Sequence, residues 1–407
     1  YRSIMSEDIV IIGAGHAAGQ LLVTLKQKEF SGKITLIGEE AYYPYKRPPL
    51  SKTYLADELT LDRLFVKPPS FYEDTQTSVL LNTKVSFVDR SKKVVQTKDG
   101  KHITYDKLIF ATGARPRKIN LPGSNLKGIF YLRNIDHVKR IKSKLSPDSV
   151  ITIVGAGYIG LEVAAVAAKI GAEVTVIEAK DRVMNRVVSK EISNFYENEH
   201  KKHGVKIILS AKIDAFLGNK NVTSVKLSDG KTIKTNIVII GIGAIPNTEI
   251  AAQTNLGIDD GIIVNSRCLT EDPHIYAIGD CTSHPNALLG KSIRLESVHN
   301  AVEQAKIAAE NICGIDNHYK SIPWFWSDQY DIKLQIAGLS YKYDETVIRG
   351  KIESRSFSCI YIKDQFIIAI DSINNPGDFI QGKLLIENKT KIDRNTLSNP
   401  KIMFKDM

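Results

Sequence analysis

Cysteine is scarce in this sequence, and its spacing excludes two kinds of site. The four cysteines stand at positions 268, 281, 313 and 359, with no C-x-x-C pair and no cluster with histidine. A disulfide framework or a structural zinc site requires such spacings. We therefore expect no metal site and no disulfide, and a reducing cytoplasm as the location.

Long hydrophobic runs are missing as well. The longest uncharged stretch, residues 9–25, is shorter than a bilayer requires and is interrupted by glycine and polar residues. Only residues 1–8 precede the first predicted strand, so we expect no signal peptide, and we expect Met5 to be the natural start. The sequence thus predicts no membrane insertion.

Low-complexity tracts and Pro/Ser-rich linkers are absent too, and the composition is that of a folded protein. Apolar residues make up 43% and charged residues 25% of the 407 positions, which excludes a mainly disordered chain. This length predicts two or three domains. The net charge of +10 favours acidic partners, although a lysine-rich surface also serves solvation alone.

Two segments repeat the same order of strand, glycine-rich turn, helix and strand. In the first, the predicted elements are strand 9–12, turn 13–18, helix 17–28 and strand 33–38. In the second, they are strand 150–154, turn 155–160, helix 161–170 and strand 173–177. A continuous apolar run before each turn is typical of a parallel strand covered on both faces. Two dinucleotide-binding folds are therefore predicted in one chain.

Each of these segments is followed by a predicted antiparallel meander and a strand that returns to the parent sheet. The returning strands are 107–111 and 236–240, and Asp-Gly pairs mark the hairpins before them. Strand 275–278 is predicted to rejoin the first sheet and to lead to helix 297–313. From Ser321 onward, alternating strands and a final helix predict a smaller α+β domain.

The two glycine-rich turns indicate phosphate binding. A G-x-G-x-x-G/A turn uses its first glycine for a tight bend, its second for close approach of a pyrophosphate, and its third small residue for helix packing. Roughly 25 residues after each first glycine stands a carboxylate placed to bind a ribose hydroxyl, Glu39 or Glu178. Such a carboxylate repels a 2′-phosphate, so NADH is favoured over NADPH although Lys180 and Arg182 are near Glu178. Since a hydride transfer between two nicotinamides achieves nothing, the other nucleotide is expected to be a flavin.

Five further motifs carry a resemblance to a known family. They are Thr270–Asp280, Ala111-Thr112-Gly113, residues 45–52 (YKRPPLSK), residues 294–301 (RLESVHNA) and residues 323–329 (PWFWSDQ). The first two resemble the second flavin motif and the A-T-G segment of flavoproteins with two dinucleotide domains. Together, from about Asp8 to about Asn375, the motifs resemble the oxygenase-coupled NADH-dependent ferredoxin reductases.

The resemblance implies an α/β, glutathione-reductase-like fold with two Rossmann-like dinucleotide-binding domains and a carboxyl-terminal α+β domain. The implied FAD-binding domain is discontinuous and comprises residues 5–113 and 244–320. Residues 114–243 form the implied NAD-binding domain, and residues 321–407 form the implied α+β interface domain.

The resemblance also assigns nucleotide ligands residue by residue. Those implied for FAD are Gly13, Gly15, His16, Ala17, Ala18, Glu39, Arg47, Lys52, Ala111, Thr112, Gly113, Gly279, Asp280, Ser297, Val298, His299 and Trp326. Those implied for NADH are Gly155, Gly157, Tyr158, Ile159, Gly160, Glu162, Glu178 and Gly243. Taken alone, Asp280 also fits a plain helix cap, and His299 stands where several relatives have tryptophan.

Three of these residues are implied to act in electron transfer. Lys52 is implied beside flavin N5, where a cation stabilises the anionic reduced flavin. Glu162 is implied as a nicotinamide contact, with a first-turn carboxylate favoured by the helix dipole as the alternative. Trp326, one of two tryptophans in the chain, is implied against the flavin ring.

The implied reaction passes electrons from NADH through FAD, one at a time, to a [2Fe-2S] ferredoxin with an acidic docking surface. That ferredoxin would supply a cytochrome P450 or a Rieske dioxygenase. Arg294 and nearby lysines are expected to meet the acidic surface close to Trp326. No nucleic-acid partner is implied.

Other flavoproteins share parts of this pattern. A flavin disulfide reductase needs a redox-active cysteine pair beside the first helix, whereas the first cysteine here is Cys268. An oxidase or peroxidase with one reactive cysteine is disfavoured by Tyr42 and Tyr43 at the corresponding place. A quinone or rubredoxin reductase and a non-catalytic flavin-binding scaffold stay open as alternatives.

Overall fold

The computed structural model describes residues 7–407, so the expected start at Met5 lies outside the described residues. In chain order, the helices are α1 His16–Gln27, α2 Leu61–Leu64, α3 Pro69–Asp74, α4 Ile135–Lys142, α5 Tyr158–Ile170, α6 Lys190–Lys202, α7 Glu249–Gln253, α8 Val298–Ile312, α9 Pro376–Glu387 and α10 Arg394–Ser398. Short 3₁₀ helices are formed by Pro48–Ser51, Gly279–Cys281, Ile352–Ser354 and Phe404–Asp406. Within residues 7–407, no helix has the length and apolar composition that crossing a membrane requires.

The strands, in chain order, are β1 Ile9–Ile12, β2 Ile34–Ile37, β3 Ser78–Leu80, β4 Val85–Asp89, β5 Val94–Thr97, β6 His102–Thr104, β7 Lys107–Phe110, β8 Ala114–Pro116, β9 Ile129–Tyr131, β10 Val150–Val154, β11 Glu173–Ile177, β12 Lys206–Ile208, β13 Ile213–Gly218, β14 Val222–Leu227, β15 Thr232–Lys234, β16 Ile237–Ile240, β17 Ala244–Pro246, β18 Ile262–Ile263, β19 Ile275–Ala277, β20 Thr282–Asn286, β21 Lys291–Ile293, β22 Trp324–Gln329, β23 Ile332–Gly338, β24 Glu345–Lys351, β25 Ser356–Lys363 and β26 Phe366–Ile373.

These elements form two compact units. Unit 1 contains the described residues through Arg47, together with Leu61–Arg115 and Ile245–Ser321. Unit 2 contains Pro48–Thr60, Pro116–Ala244 and Ile322–Met407. The carboxyl-terminal α+β part therefore groups with the second dinucleotide fold, and the segment 48–60 groups there as well. The three domain boundaries drawn from the sequence stay a prediction.

Unit 1 is built around a five-stranded parallel sheet in the order β19-β7-β1-β2-β3. Ile9 of β1 pairs with Ile34 of β2 and with Lys107 of β7, which places β1 at the centre. Ile9 and Ile11 of β1 belong to the core that α1 and α8 complete, while Val10 and Ile12 belong to the core beneath the meander β4-β5-β6. Burial on both faces explains why this strand is a continuous run of Val and Ile.

Unit 2 contains a second five-stranded parallel sheet, in the order β12-β11-β10-β16-β9, and the antiparallel meander β13-β14-β15. Its carboxyl-terminal part is an antiparallel sheet in the order β22-β23-β26-β25-β24. Helix α9 covers this sheet, and Gly382 packs so closely that a Cβ there would come within 2.8 Å of Ile370. The predicted α/β class, with two dinucleotide folds and an α+β part, is confirmed.

Candidate functional site

The glycine turns at residues 13–18 and 155–160 have the same backbone geometry. Gly13 has φ +106°, and a Cβ there would lie 2.1 Å from the carbonyl oxygen of Ala111. Gly155 has φ +102°, and its Cβ would lie 2.2 Å from the carbonyl oxygen of Gly241. In both turns the first glycine is therefore required by the fold itself.

The second glycines of the two turns have no such reason inside the protein. Gly15 has φ −92° and Gly157 has φ −79°, values open to any residue, and a Cβ at either would meet no atom within 4 Å. The space in front of these two positions is empty of protein. In a turn of this kind, a side chain at the second glycine would stand between the backbone and an approaching pyrophosphate.

Helices α1 and α5, which follow the two turns, lack the side-chain caps that the other long helices have. Among the described helices of eight or more residues, four begin with a side chain that accepts a backbone N–H. These caps are Asn134 for α4, Ser189 for α6, Ser297 for α8 and Asn375 for α9. The N-caps Gly15 and Gly157 provide no side-chain acceptor. The N–H groups of these helix starts are thus open to an anion, as a nucleotide pyrophosphate site requires.

The third positions of the turns pack against their own strands. Ala18 is fully buried in the core of unit 1. At Gly160, a Cβ would lie 2.2 Å from the carbonyl oxygen of Gly155, so no side chain fits. Ala17 is buried beside Gly279, whereas Tyr158 and Ile159 form the first turn of α5, with Ile159 exposed.

At the end of β2, the two acidic residues have different partners. Glu39 is exposed and pairs with Lys84 at 2.8 Å. Glu40 accepts hydrogen bonds from the Arg47 guanidinium, at 2.7 Å, and from the Tyr45 hydroxyl, at 2.5 Å. Arg47 also donates to the Tyr45 hydroxyl at 2.8 Å. Arg47 is therefore held by Glu40 and Tyr45, and the ribose role of Glu39 stays a prediction.

His16 opens α1 and lies among charged groups of unit 1. Burial and the positive charges of Lys46 and Arg47 together lower the pKa of His16 to about 4, while Asp280 opposes them. The Nδ1 atom of His16 is buried without a hydrogen-bond partner in the described chain. A neutral imidazole at the start of α1 leaves the positive end of that helix free of a competing charge.

Gly279 and Asp280 follow β19 and are fixed by a buried side chain that sequence reasoning missed. The Gln304 side-chain oxygen accepts the backbone N–H of Gly279 at 2.7 Å and the hydroxyl of Thr282 at 3.0 Å. It also accepts the Asn300 amide at 3.2 Å. Gln304 lies on α8, two turns after the predicted Ser297-Val298-His299 segment, where nothing in the local sequence distinguishes it from a core position.

The predicted A-T-G segment of unit 1 is fixed by Asn247. The Thr112 hydroxyl donates to the backbone oxygen of Asn247 at 2.6 Å, and the Asn247 amide donates to the backbone oxygen of Thr112 at 2.8 Å. The backbone N–H of Asn247 donates to the backbone oxygen of Gly113 at 2.9 Å. These reciprocal bonds fix the loop that follows β7.

Glu178 of unit 2 lies against the second glycine turn. One carboxylate oxygen accepts the backbone N–H of Ala156 at 2.8 Å, and the other accepts that of Lys180 at 2.9 Å. The nearby Arg182 donates to Val188 at 2.7 Å and to Asn185 at 2.9 Å within its own loop. Arg182 is therefore engaged within its own loop, and the ribose role of Glu178 stays a prediction.

Lys52 and Glu162 form a buried ion pair in unit 2, which the sequence motifs did not predict. The Lys52 Nζ lies 2.9 Å from a Glu162 carboxylate oxygen, and the Glu162 side chain is 3% exposed. The hydroxyls of Ser51, at 2.5 Å, and Ser327, at 2.7 Å, also donate to Glu162. Burial raises the pKa of Glu162, and the lysine and the two hydroxyls oppose this shift. Ser51 and Ser327 lie inside quoted motifs, yet only the fold shows that they converge.

Strand β22 presents different residues on its two faces. Phe325 packs on the Tyr158 ring, with centroids 4.6 Å apart, and Ser327 reaches Glu162, so this face contacts α5. Trp324 and Trp326 occupy the alternate positions, with ring centroids 5.5 Å apart. Trp326 therefore lies on the face of β22 opposite to Phe325 and Ser327, and its role against a flavin stays a prediction.

Arg294 corrects one expectation from the sequence. Its side chain is 12% exposed and pairs with Asp260, at 3.2 Å, and with Glu296. A charge that is already neutralised and largely buried contributes little to the steering of an acidic partner. The docking role expected of Arg294 therefore does not fit this geometry.

The cysteines provide no redox centre. All four thiols are free, and burial raises the pKa of Cys268, Cys281 and Cys359. A thiol with a raised pKa is a poor nucleophile at neutral pH. This geometry disfavours a disulfide reductase.

Comparisons with known proteins agree with this geometry. Residues 7–305 match the family described as Pyridine nucleotide-disulphide oxidoreductase, and residues 324–407 match the family described as Reductase C-terminal. The 5,5'-dehydrodivanillate O-demethylase ferredoxin reductase subunit of Sphingobium sp. (strain NBRC 103272 / SYK-6) is 40% identical over 98% of this chain and 98% of that protein. A rubredoxin-NAD(+) reductase of Pseudomonas putida is 40% identical over 90% of this chain and 96% of that protein. A chain from the crystal structure of the covalent putidaredoxin reductase–putidaredoxin complex has a TM-score of 0.96 at 35% identity, covering 98% of this chain and 97% of that chain.

Proposed function

The chain belongs to the pyridine nucleotide-disulphide oxidoreductase family, among the oxygenase-coupled ferredoxin reductases, and from this premise we propose that it passes electrons from NADH through FAD to a [2Fe-2S] ferredoxin. The observation that supports this most is the pair of uncapped helix starts behind open second glycines, one in each unit. Two such sites in one chain suit a pair of dinucleotides. The chemistry supplied by bound FAD is acceptance of a hydride and release of single electrons.

The residues that would hold FAD belong mainly to unit 1. The open N–H groups of α1 behind Gly15 would bind its pyrophosphate, since they point at an anion with the favourable end of the helix dipole. Asp280, fixed through Gly279 and Gln304, would bind the ribityl chain, and Thr112 would flank it. The predicted roles of Ser297, Val298 and His299 at the start of α8 follow from the same family pattern.

The residues that would hold NADH belong to unit 2. The open start of α5 behind Gly157 would bind the pyrophosphate, and Glu178 would accept from the adenosine ribose. Glu178 already holds the backbone of the turn, so its charge is fixed where a 2′-phosphate would be repelled. NADH is the proposed reductant for this reason.

Lys52 and Glu162 would act together, as an ion pair, beside the reacting groups. Lys52 provides a fixed positive charge that stabilises developing negative charge, and Glu162 holds the ammonium in place. Neither residue is needed as a nucleophile, because hydride transfer requires orientation of the two reactants more than acid–base chemistry.

The acceptor proposed is a [2Fe-2S] ferredoxin with an acidic surface, which would supply a cytochrome P450 or a Rieske dioxygenase. The net charge of +10 supports an acidic partner. We also propose a cytoplasmic location, supported by four cysteines that carry no disulfide.

The test is NADH-driven reduction of cytochrome c by the FAD-loaded protein with and without candidate ferredoxins. We expect NADH to bleach the flavin absorbance at once under anaerobic conditions, and cytochrome c reduction to require one ferredoxin. A protein whose flavin is not bleached by NADH would be a scaffold, and the proposal would be wrong.

A rubredoxin is the second candidate acceptor, because a rubredoxin-NAD(+) reductase is 40% identical to this chain over 90% of its length. The same assay with rubredoxin in place of ferredoxin distinguishes the two. Faster reduction through rubredoxin would replace the ferredoxin in the proposal.

A further inference from the structure

A continuous line of hydrogen bonds runs through unit 2 from Glu162 to the surface. The Ser327 hydroxyl donates to Glu162 at 2.7 Å, and the Gln329 amide donates to Ser327 at 3.2 Å. The Gln329 side-chain oxygen lies 2.8 Å from Nε2 of His200, and the Tyr330 hydroxyl lies 2.9 Å from Nδ1 of the same ring. Ser327, Gln329 and His200 are completely buried.

The position of every hydrogen in this line follows from one ionised carboxylate. An ionised Glu162 cannot donate, so Ser327 must donate to it, and Ser327 must then accept from the amide nitrogen of Gln329. The Gln329 oxygen consequently faces His200 and needs the Nε2–H form of the ring. Burial lowers the pKa of His200 to about 4, so the ring is neutral and its Nδ1 accepts from Tyr330.

All four donors therefore point toward Glu162. Aligned hydrogen bonds polarise one another, so each strengthens the one nearer to the carboxylate. If Glu162 were neutral, this alignment would lose the charge that orders it. The line thus favours the ionised form of Glu162, in opposition to the burial that raises its pKa.

Tyr330 shows that the outer end of the line is also fixed. It lies in the turn between β22 and β23 with φ +57°, a left-handed conformation that is unfavourable for an aromatic residue. The ring stacks on His203 with centroids 3.7 Å apart, and its hydroxyl reaches His200. A strained residue held by two contacts suggests a requirement at this position.

We propose that Ser327, Gln329, His200 and Tyr330 are positioning residues that keep Glu162 ionised and oriented for its contact with NADH. This inference rests on the proposed function, because the nicotinamide contact that the family resemblance implies for Glu162 belongs to the proposed NADH site. The four residues touch no substrate and act through Glu162 alone.

Other charged and titratable groups also face Glu162. Lys52 is its ion-pair partner, from the segment 48–60, and Tyr158 and Tyr196 approach it from α5 and α6. Asp371 influences both tyrosines from β26. Burial raises the pKa of both tyrosines above 10.0, so they are neutral, and Lys52 is the cation that shares control of Glu162 with the line.

The first test reads the line directly in the FAD-loaded full chain labelled with ¹⁵N-histidine. Long-range ¹H–¹⁵N correlation spectra, with a His200→Gln variant to assign the signal, are expected to show the Nε2–H form of His200. In Ser327→Ala, which cuts the line beside Glu162, a mixture of the two neutral forms is expected. An Nδ1–H form in the unsubstituted protein overturns the proposal.

The second test is the pH dependence of flavin reduction by NADH, followed by anaerobic stopped flow. Loss of donors favours neutral Glu162, so the acid limb of the rate profile should move to higher pH by about one unit in Gln329→Leu. Tyr330→Phe, which removes only the outermost hydroxyl and keeps the stacked ring, should move it less in the same direction and serves if Gln329→Leu does not fold.

The matched control is Ser372→Ala on β26, which loses a buried hydroxyl bond to Ser358 outside the line. Its acid limb should coincide with that of the unsubstituted protein. An acid limb at one pH in every protein, or in none, overturns the proposal. If NADH reduces no protein of the series, the proposed function fails, while the form of His200 still decides whether the line exists.

Discussion

Asp371 on β26 is a buried carboxyl that the proposed reaction does not use. The Tyr361 hydroxyl donates to one of its oxygens at 2.5 Å, and the other oxygen is buried without a partner among the described residues. Burial raises the pKa of Asp371 from 3.8 to about 7, with Tyr361 opposing the shift. A protonated carboxyl suits this environment better than a carboxylate.

This raised pKa predicts a pH dependence of stability. The folded state binds the proton of Asp371 more tightly than the unfolded state, so its contribution is complete below about pH 4 and is lost as pH rises through about 7. Denaturant unfolding at a series of pH values should show the free energy of unfolding falling over this range. In Asp371→Asn this part of the slope should disappear, and an unchanged slope would show that Asp371 is ionised in the folded protein.

The sequence indicates single residues of the candidate site, whereas the contacts between them follow only from the fold. Lys52 and Glu162 were each expected at the site, but the ion pair joins positions more than one hundred residues apart, and no local pattern encodes it. Gln304 and Ser327 were missed for the same reason, since each is distinguished only by what it contacts. The docking role expected of Arg294 could not be judged from the sequence, because tertiary packing sets the exposure and pairing that decide whether a cation can steer a partner.

In the glycine turn before α5, substitutions of the first and second glycines are expected to have different effects on stability and on NADH turnover. Gly157→Ala places a Cβ in empty space, so the holoenzyme should keep its free energy of unfolding within about 0.5 kcal/mol. The same methyl group stands where the NADH pyrophosphate must approach, so kcat/KM for NADH should fall by about tenfold or more. Stopped-flow reduction and denaturant unfolding measure the two effects.

Gly155→Ala is the matched comparison in the same turn. Its Cβ would lie 2.2 Å from the carbonyl oxygen of Gly241 at φ +102°, so the protein should lose about 2 kcal/mol or more of stability. If Gly157→Ala proves as destabilising as Gly155→Ala, a Cβ does not fit at Gly157; if it leaves kcat/KM for NADH unchanged, the space before α5 is not a nucleotide site.

One buried guanidinium holds the carboxyl-terminal tail, residues 399–407. Arg349 of β24 is 4% exposed, pairs with Asp378 at 3.3 Å, and donates to the backbone oxygens of Asn399 and Ile402, each at 2.6 Å. Phe404 stacks on it at 4.4 Å. Lysine cannot reproduce this fork of donors, so Arg349→Lys should cost about 2 to 4 kcal/mol and expose the tail to limited proteolysis.

Arg394→Lys is the control, because Arg394 is 63% exposed and its pair with Glu345 lies at the surface. Exposed pairs contribute little, so a change within about 0.5 kcal/mol is expected. Equal losses in the two variants would mean that the Arg349 contacts do not hold the tail.

Elements were more predictable than the sites they carry. The strands β1 and β10 and the helices α1 and α5 follow from apolar runs, glycine turns and helical periodicity, all local signals. The edge strand β9 was not expected, since its three residues follow a loop and acquire strand geometry only by pairing with β16. The segment 48–60 groups with unit 2 because its 3₁₀ helix Pro48–Ser51 contacts α4 and α5, with Ser51 bonded to Glu162, and no periodicity encodes these contacts.

For the whole molecule, the net charge of +10 predicts the salt response of the proposed electron transfer. Encounter with an acidic ferredoxin is accelerated by opposite charge, so kcat/KM for ferredoxin should fall by about tenfold between low and high ionic strength. Steady-state cytochrome c reduction measures this. The rate of flavin reduction at saturating NADH should change little. A kcat/KM for ferredoxin that does not change with ionic strength would show that charge does not guide the encounter.

The uncapped starts of α1 and α5 have a consequence for how much of this protein a host accumulates. A nucleotide that binds these helix starts only in the folded chain makes the loaded form more stable than the nucleotide-free form, and the difference grows with the supply of ligand. Cultures starved of riboflavin should therefore hold less of the polypeptide at unchanged messenger level, since quality-control proteases remove chains that open more often. Vitamin availability would thus set the abundance of the protein as well as its colour.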